Sequence, residues 1–377
     1  MSGVPAVPGP ARATGTGLRT MGAGAPFRAT GTTLVVRTDG AGDVLLAGPA
    51  IRAVAARSRR VVLLAGPGGR AAAELLPGVD EVLEWRTPWI DPDRPPMTGE
   101  RAVELLGLVR RAAPDNALIF TSFHQSALPM ALMLRLAGVA RIAAISGDYP
   151  GALLDVRHVV DESIDVPEPE RMLGLATAAG FPPEPGDDLR LAVRRPLPPV
   201  GHLTGPPGYV VVHPGVTAPA RAWPAERCAE AVRALRAAGY RVVVTGGPDE
   251  RALTAAVAGG EAVDLGGLTS FAELGAVLDG ACAVVVANTG AAHLAAAVRT
   301  PVVSLFAPVV PAARWAPYRV PSVLLGDQGA PCAASRARVC PVPGHPCLAG
   351  VTAEQVVAAV RELTAPTQRS VTAARHG

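Results

Sequence analysis

The residues best placed to do chemistry are Asn288, Thr289 and Gly290, within the run ACAVVVANTGAAHLAAAV at 281–298. The apolar stretch Val284 to Val286 leads into them, and an alanine-rich helical stretch follows without a break. A buried strand, small polar residues and then a helix start make an anion site. First-turn N–H groups have no intrahelical partner, and the helix dipole places partial positive charge there. Thr289 is suited to cap the helix, Gly290 lets a phosphate approach the backbone, and Ala291 adds a further first-turn N–H. A plain strand-to-helix turn is the competing reading. The chain has two asparagines, Asn116 and Asn288, and no lysine. An asparagine at 288 therefore runs against a composition that looks GC-biased at the codon level.

Further segments carry matching chemistry. In RTDGAGDVLL, 37–46, Gly40 and Gly42 allow a tight loop and Asp43 falls at a helix start. A carboxylate there serves as a general base or simply as a helix cap. The glycines do not spell G-x-G-x-x-G, and no acidic residue closes a second strand at the usual distance, which argues against a nicotinamide dinucleotide. In HPGVTAPARAWP, 213–224, Thr217 offers a hydroxyl and Arg221 a planar, permanently charged fork suited to a diphosphate. GGPDE, 246–250, ends on Glu250, a carboxylate able to take both hydroxyls of a ribose or to sit solvated at a helix start. Hydroxyl and Arg loop, acid, then NTG describe a nucleotide-diphosphate site, and the conjunction is more specific than its parts. Arg221, Thr217 and the helix start supply the positive charge such a site needs, so no metal or other cofactor is expected. SFHQS, 122–126, places His124 and Gln125 at another strand end. With Gly42 they are the candidates for contact with an acceptor, a surface-loop histidine being the plainer role for His124. His293 reads as a packed first-turn residue.

Composition narrows the partners. The chain is 49% hydrophobic and 18% charged, so most of it can bury a core. Aromatic residues at 4% and a net charge of +3, all its cations arginine, do not make a nucleic-acid protein. Arg57, Arg59 and Arg60 form a local basic cluster, read either as a solvated helix end or as an attraction for anionic lipid or acceptor. No run of eighteen apolar residues suggests a membrane span. Residues 1–30, rich in Pro and Gly without an apolar core, read as a disordered leader rather than a signal peptide, and 365–377 as a loose tail. A cytoplasmic location is expected, with a peripheral contact at the inner membrane face left open. Five cysteines with this cytosolic character argue against a disulfide scaffold. Cys332, Cys340 and Cys347, with His345 among them, lack any C-x-x-C pair, so structural thiols are favoured over a metal site.

The elements that must position these residues alternate in two halves. Strands are predicted at Thr33–Thr38, Val61–Ala65, Glu81–Glu84, Ala117–Thr121 and Arg141–Ile145, with helices near Leu45–Ala56, Glu100–Ala112 and Ser126–Ala137. After a proline-rich linker, 196–208, strands at Tyr209–His213, Arg241–Thr245, Ala262–Asp264, Ala283–Ala287 and Val302–Phe306 restart the pattern, with a helix near Ala225–Ala238. Short, doubly apolar strands between helices mean parallel sheets covered on both faces. The expectation is an α/β chain of two Rossmann-like domains, 31–195 and 209–364, facing across a cleft at the carboxyl ends of their strands.

At this point the chain resembles glycosyltransferase family 9, the heptosyltransferases. The resemblance rests on RTDGAGDVLLAGPAI, HPGVTAPARAWPAERCAEAV, VVVTGGPDE and GGLTSFAELGAVLDGACAVVVANTGAAHLAAA, and runs over nearly all of 31–363. It implies the GT-B fold, with the acceptor on the first domain and the sugar nucleotide on the second. It also implies transfer of a sugar from ADP-heptose or a similar donor, with inversion and without an active-site metal. The acceptor stays open, because a composition that looks GC-biased makes a hydroxyl of a cell-surface glycan or of an aminoglycoside-like natural product as plausible as one of a lipid-linked core. By this resemblance Asp43 stands at the proposed catalytic base, Arg221 where a phosphate-binding lysine is usual, and Glu250 at a ribose-binding carboxylate. Thr289, Gly290 and His293 match a D-T-G-x-x-H-L turn in which Asn288 replaces the aspartate, implying a donor sugar held differently. Gly329 stands where a cysteine is expected in the tail. Another GT-B enzyme, such as a sugar-nucleotide 2-epimerase, and a non-catalytic sugar-nucleotide-binding protein are the rival readings.

Overall fold

The computed structural model describes residues 31–365; the leader and nearly all of the tail read from the sequence lie outside the described residues. Strands β1 (Thr32–Arg37), β2 (Arg60–Ala65), β3 (Glu81–Glu84), β4 (Asn116–Ile119), β5 (Arg141–Ile145) and β6 (Val156–His158) form one parallel sheet, ordered β3-β2-β1-β4-β5-β6. Strands β7 (Tyr209–His213), β8 (Val242–Gly246), β9 (Val263–Gly266), β10 (Ala281–Ala287), β11 (Val302–Leu305) and β12 (Ser322–Leu325) form a second. Its order, β9-β8-β7-β10-β11-β12, repeats the first. The inner strands are apolar on both faces because helices cover both. Val35 pairs in register with Leu63 and Leu118, and Val284 with Val211 and Val302, all fully buried.

In the first half the helices are α1 (Ala41–Leu46), α2 (Gly48–Ala55), α3 (Arg70–Leu75), α4 (Gly99–Ala112), α5 (Leu128–Ala137) and α6 (Glu168–Ala178). A short turn, α7 (Gly201–Thr204), falls inside the segment read as linker. In the second half they are α8 (Ala225–Ala237), α9 (Arg251–Ala258), α10 (Phe271–Asp279), α11 (Gly290–Ala297), α12 (Ala312–Trp315), α13 (Pro346–Ala349) and α14 (Ala353–Thr364). One apolar cluster runs from Val44 and Leu45 of α1 to Leu294 and Ala295 of α11, so the two halves share core at the seam.

The structure corrects the single helix expected near Leu45–Ala56. The chain turns helical at Ala41 and breaks at Ala47. Pro49 has no N–H to give the carbonyl of Leu45, so the first helix cannot run through it. The earlier start matters, because Gly40 is the N-cap and no side chain caps α1. Asp43 is therefore inside the first turn and is not a cap.

Candidate active site

In each sheet the winding order reverses once, between β1 and β4 and between β7 and β10, and at such switch points the strand ends leave a crevice. The segments 37–46 and 122–126 leave β1 and β4; the segments 213–224 and 288–291 leave β7 and β10. The seam brings these four strand ends to one place.

Arg37, the last residue of β1, is fully buried and organises the first-domain side. Its Nη2 donates to Asp43 Oδ1 at 2.8 Å and to Ser122 Oγ at 2.9 Å, while Nε lies 3.3 Å from Asp39 Oδ2. Burial opposes its charge, but Asp39, Asp43 and Glu168 around it prevail and raise its pKa. Asp43 remains partly open to solvent, with its side chain 29% exposed. Asp39 is more enclosed; burial pushes its carboxyl upward against the pull of Arg37 and of Gln125. Glu168 is wholly buried without a hydrogen bond to either oxygen, 3.8 Å from Arg171 and 3.7 Å from Arg314, and burial raises its pKa too.

Gly42 and Gly290 meet across the seam. A Cβ on Gly42 would stand 2.9 Å from His293 Cδ2 and 3.1 Å from Gly290 Cα; one on Gly290 would stand 3.3 Å from the Gly42 nitrogen. The first turns of α1 and α11 thus face each other at backbone distance, and a side chain on either glycine would push them apart. Thr289 occupies the N-cap of α11, but its side chain makes no capping bond. Gly290 and Ala291 follow as the first-turn residues whose N–H groups α11 itself cannot satisfy.

On the second-domain side Arg221 Nη1 donates to the Asn288 carbonyl at 3.2 Å, and its Nε is buried without a partner. Burial lowers its pKa, Asp43 across the seam working against this and Arg338 with it. An unpaired guanidinium donor in such a place suits a phosphate oxygen. Thr217 is exposed, and its carbonyl accepts from Arg338 Nη2 at 3.3 Å. Glu250 takes the Gly247 N–H at 2.7 Å and lies against Gly215, where a Cβ would displace its carboxylate. Asn288, expected from the sequence to contact the donor, bonds the backbone of Ala307, with Nδ2 donating to the carbonyl at 3.3 Å and Oδ1 accepting from the N–H at 3.4 Å. Asn288 positions the turn and, through its carbonyl, Arg221.

The acceptor-side residues are also redistributed. Gln125 Nε2 donates to Asp39 at 2.6 Å and its Oε1 accepts from the Ser122 N–H at 2.9 Å, so its amide fixes the loop. His124 is exposed, yet desolvation and then the Arg336 charge push its pKa down to about 4. Phe123, not singled out in the sequence, inserts into the seam between Arg314, 4.5 Å from its ring, and Trp315 at 5.7 Å. Arg314 crosses the seam to Glu162 at 3.0 Å and to Asp165. His293 is buried against Gly42 with Nδ1 unpartnered, and burial holds its pKa down to about 4. Arg37, Arg314 and Arg338 were missed by sequence reasoning. Arg37 alone left a signal, a lone charge at the end of an apolar strand. The thiols of Cys332 and Cys347 are buried and that of Cys340 half-buried; all are free. Among the described residues, no group of three or more His, Cys, Asp or Glu side chains is arranged to hold a metal ion.

Two parallel, helix-covered sheets with such a site at their seam are the GT-B architecture of glycosyltransferases. The sequence profile of glycosyltransferase family 9 (heptosyltransferase) matches residues 123–345, more than half the chain, and the protein belongs to that family. It is 32% identical over 155 residues to lipopolysaccharide heptosyltransferase 3 of Escherichia coli strain K12, across 40% of this chain and 44% of that one. The chain thus spans less than half the length of the curated relatives it matches. Among solved structures it superposes on a family 9 glycosyl transferase from Veillonella parvula with TM-score 0.70 and 15% identity, over 90% of this chain and 99% of that one. It also superposes on E. coli ADP-heptose lps heptosyltransferase II with TM-score 0.67 and 20% identity, over 88% and 98%. E. coli heptosyltransferase WaaC with ADP gives 0.62 at 19% identity, over 88% and 97%. At these identities the structural likeness is one of fold.

Proposed function

We propose that the protein is an inverting glycosyltransferase that moves a heptose-type sugar from an ADP-sugar, or a related nucleotide-diphosphate sugar, to a hydroxyl of a glycan, lipid-linked or natural-product acceptor. The observation that carries this reading is the seam itself: Asp43 of one sheet stands across Gly42 from the α11 first turn and Arg221 of the other. The acceptor oxygen attacks the anomeric carbon, its proton passes to Asp43, and the sugar–phosphate bond breaks toward the second domain. Proton removal of this kind is worth ~10²–10⁴-fold. Arg37 holds Asp43 by Oδ1, and the partly exposed carboxylate keeps Oδ2 for the proton. Arg221 and the N–H groups of Gly290 and Ala291 receive the charge of the leaving diphosphate, the service that a divalent cation would otherwise give. Glu250 takes the ribose, Thr217 adds a hydroxyl, and residues 31–195 and 209–364 act as acceptor and donor domains. The solved WaaC relative bound to ADP supports the choice of nucleotide. A cytoplasmic site of action, with contact at the inner membrane face, belongs to the same reading; among the described residues no helix is long and apolar enough to cross a membrane.

A thermal-shift titration tests it. At one hundred times its dissociation constant ADP should stabilise the fold by about 2.7 kcal/mol. Arg221→Ala should weaken ADP by roughly 10- to 100-fold, a charged hydrogen bond being worth about 1.5–3 kcal/mol, and Arg221→Lys should recover much of it. Unchanged melting with ADP, UDP and GDP, or full ADP affinity in the alanine variant, would overturn the assignment.

A further inference from the structure

Beside Asp43, at the carboxyl ends of β1 and β4, a narrow open niche has about 10 Å³ of room, enough for one water-sized group. Its polar lining is Thr38, Asp39, Thr121, Gln125 and Ser126; the loop after β3 closes one side with Trp89 and Ile90. Three features stand out. Asp39 is the only charged residue in the lining. Thr121 is 6% exposed, and its Oγ1 is buried without a hydrogen-bond partner. Trp89 is half-buried at the lip, its ring centroid 5.8 Å from that of Trp85, so it stands braced with part of its surface open.

The niche lies close to the proposed base. Asp39 and Asp43 lean on the same Arg37 guanidinium, through Nε and Nη2, so the two carboxylates stand within one sugar ring's reach of each other. A substrate that offers one hydroxyl to Asp43 must present its neighbouring groups to Asp39 and Thr121. Asp39 is ion-paired with Arg37 and accepts from Gln125, and a carboxylate has further lone-pair sites for hydroxyl donors. A hydroxyl can also satisfy Thr121 Oγ1, whereas an acyl chain would leave both groups desolvated and unpaired. An acidic group would meet Asp39 with no cation in the lining to offset it.

We propose that this niche is an acceptor subsite: it takes a hydroxyl arm of a neutral sugar residue whose apolar face lies on Trp89, adjacent to the hydroxyl that Asp43 deprotonates. Asp39 and Thr121 bind the arm, and the missing cation makes the subsite select against uronic or phosphorylated sugars. The proposal rests on the glycosyl-transfer reading and deepens its acceptor side.

Saturation-transfer NMR on the full chain tests it, with methyl α-mannopyranoside, methyl α-glucopyranoside and methyl α-galactopyranoside as neutral probes and a methyl glucuronide as the acidic one. At least one neutral glycoside should receive magnetisation from the wild-type protein and the glucuronide should not. Trp89→Ala should weaken that binding by about three- to ten-fold, the range expected for a stacked ring. Thr121→Val, nearly isosteric and spared any fold-wide loss of packing, should weaken it as well. ADP-induced stabilisation is measured in parallel and should be unchanged in both variants. Absence of transfer to every neutral glycoside, equal transfer to the glucuronide, or binding unaltered in both variants would overturn the subsite. Loss of ADP binding by the wild type would instead strike at the donor-site reading, so the two failures are distinguishable.

Discussion

Replacing Arg37 by methionine keeps the length of a fully buried side chain and removes its charge. Asp39, Asp43 and Glu168 all depend on that charge. Removing one partner of a buried ion pair costs about 3–5 kcal/mol. Asp43 is partly solvated and discounts its share, whereas Glu168 at 0% and Asp39 at 11% side-chain exposure do not. The expected loss for Arg37→Met at neutral pH is therefore about 3 kcal/mol. Its pH dependence has a definite sign. Burial already raises the carboxyls of Asp39 and Glu168 in the folded protein, and both lose a countercharge in the variant. A group whose folded pKa lies above its unfolded value stabilises when protonated, and that stability is lost as pH rises through the folded value. The gap between variant and wild type should accordingly shrink on going from pH 7.5 to 5, as followed by thermal unfolding monitored by circular dichroism. ADP affinity should hold within a few-fold, since Arg37 lies on the opposite side of the seam. A gap that stays constant or widens on acidification would refute the shared-guanidinium account.

Two further outcomes follow from the seam. Gly42→Ala places a methyl 2.9 Å from His293 and 3.1 Å from the Gly290 backbone; overpacking of this kind costs about 1–3 kcal/mol, and the wedge should reduce turnover more than it weakens ADP binding. Equal turnover in the alanine variant would show that the two helix starts need not meet. His293, with its pKa held down to about 4 by burial, is neutral when folded but protonates near 6.5 when unfolded. The unfolded state then binds the extra proton between those values, so stability should fall as pH drops from about 6.5 to 4. His293→Gln should flatten that part of the thermal-stability profile, and an unchanged slope would locate the acid sensitivity elsewhere.

Much of the frame was legible because parallel strands covered on both faces must be short and continuously apolar, as VVV at 210–212, 242–244 and 284–286 shows. Helices with mixed surfaces were harder to see. The capping boxes Ser270–Glu273 and Thr352–Gln355 mark the starts of α10 and α14 and could have located both. That Asp43, Arg221 and Gly290 are candidates of one kind was readable because helix starts and glycine approach are local rules; their meeting at the seam is what the fold adds. The roles of Asn288 and Gln125 were not, because their partners Ala307 and Asp39 lie 19 and 86 residues away and no local spacing encodes such contacts. Arg314 escaped for the same reason, its carboxylates belonging to the other half of the chain.

The central claim, that Asp43 takes the acceptor's proton across the seam from the nucleotide site, is tested most directly by Asp43→Asn. Asparagine keeps the shape and can still face Arg37, and no capping bond is at stake because Gly40 holds the N-cap. The measurement is single-turnover sugar transfer alongside ADP affinity by calorimetry, for wild type and variant under the same conditions. Transfer should fall by ~10²-fold or more with ADP affinity within a few-fold. A folded variant that transfers sugar at the wild-type rate would contradict the assignment of Asp43 as the base.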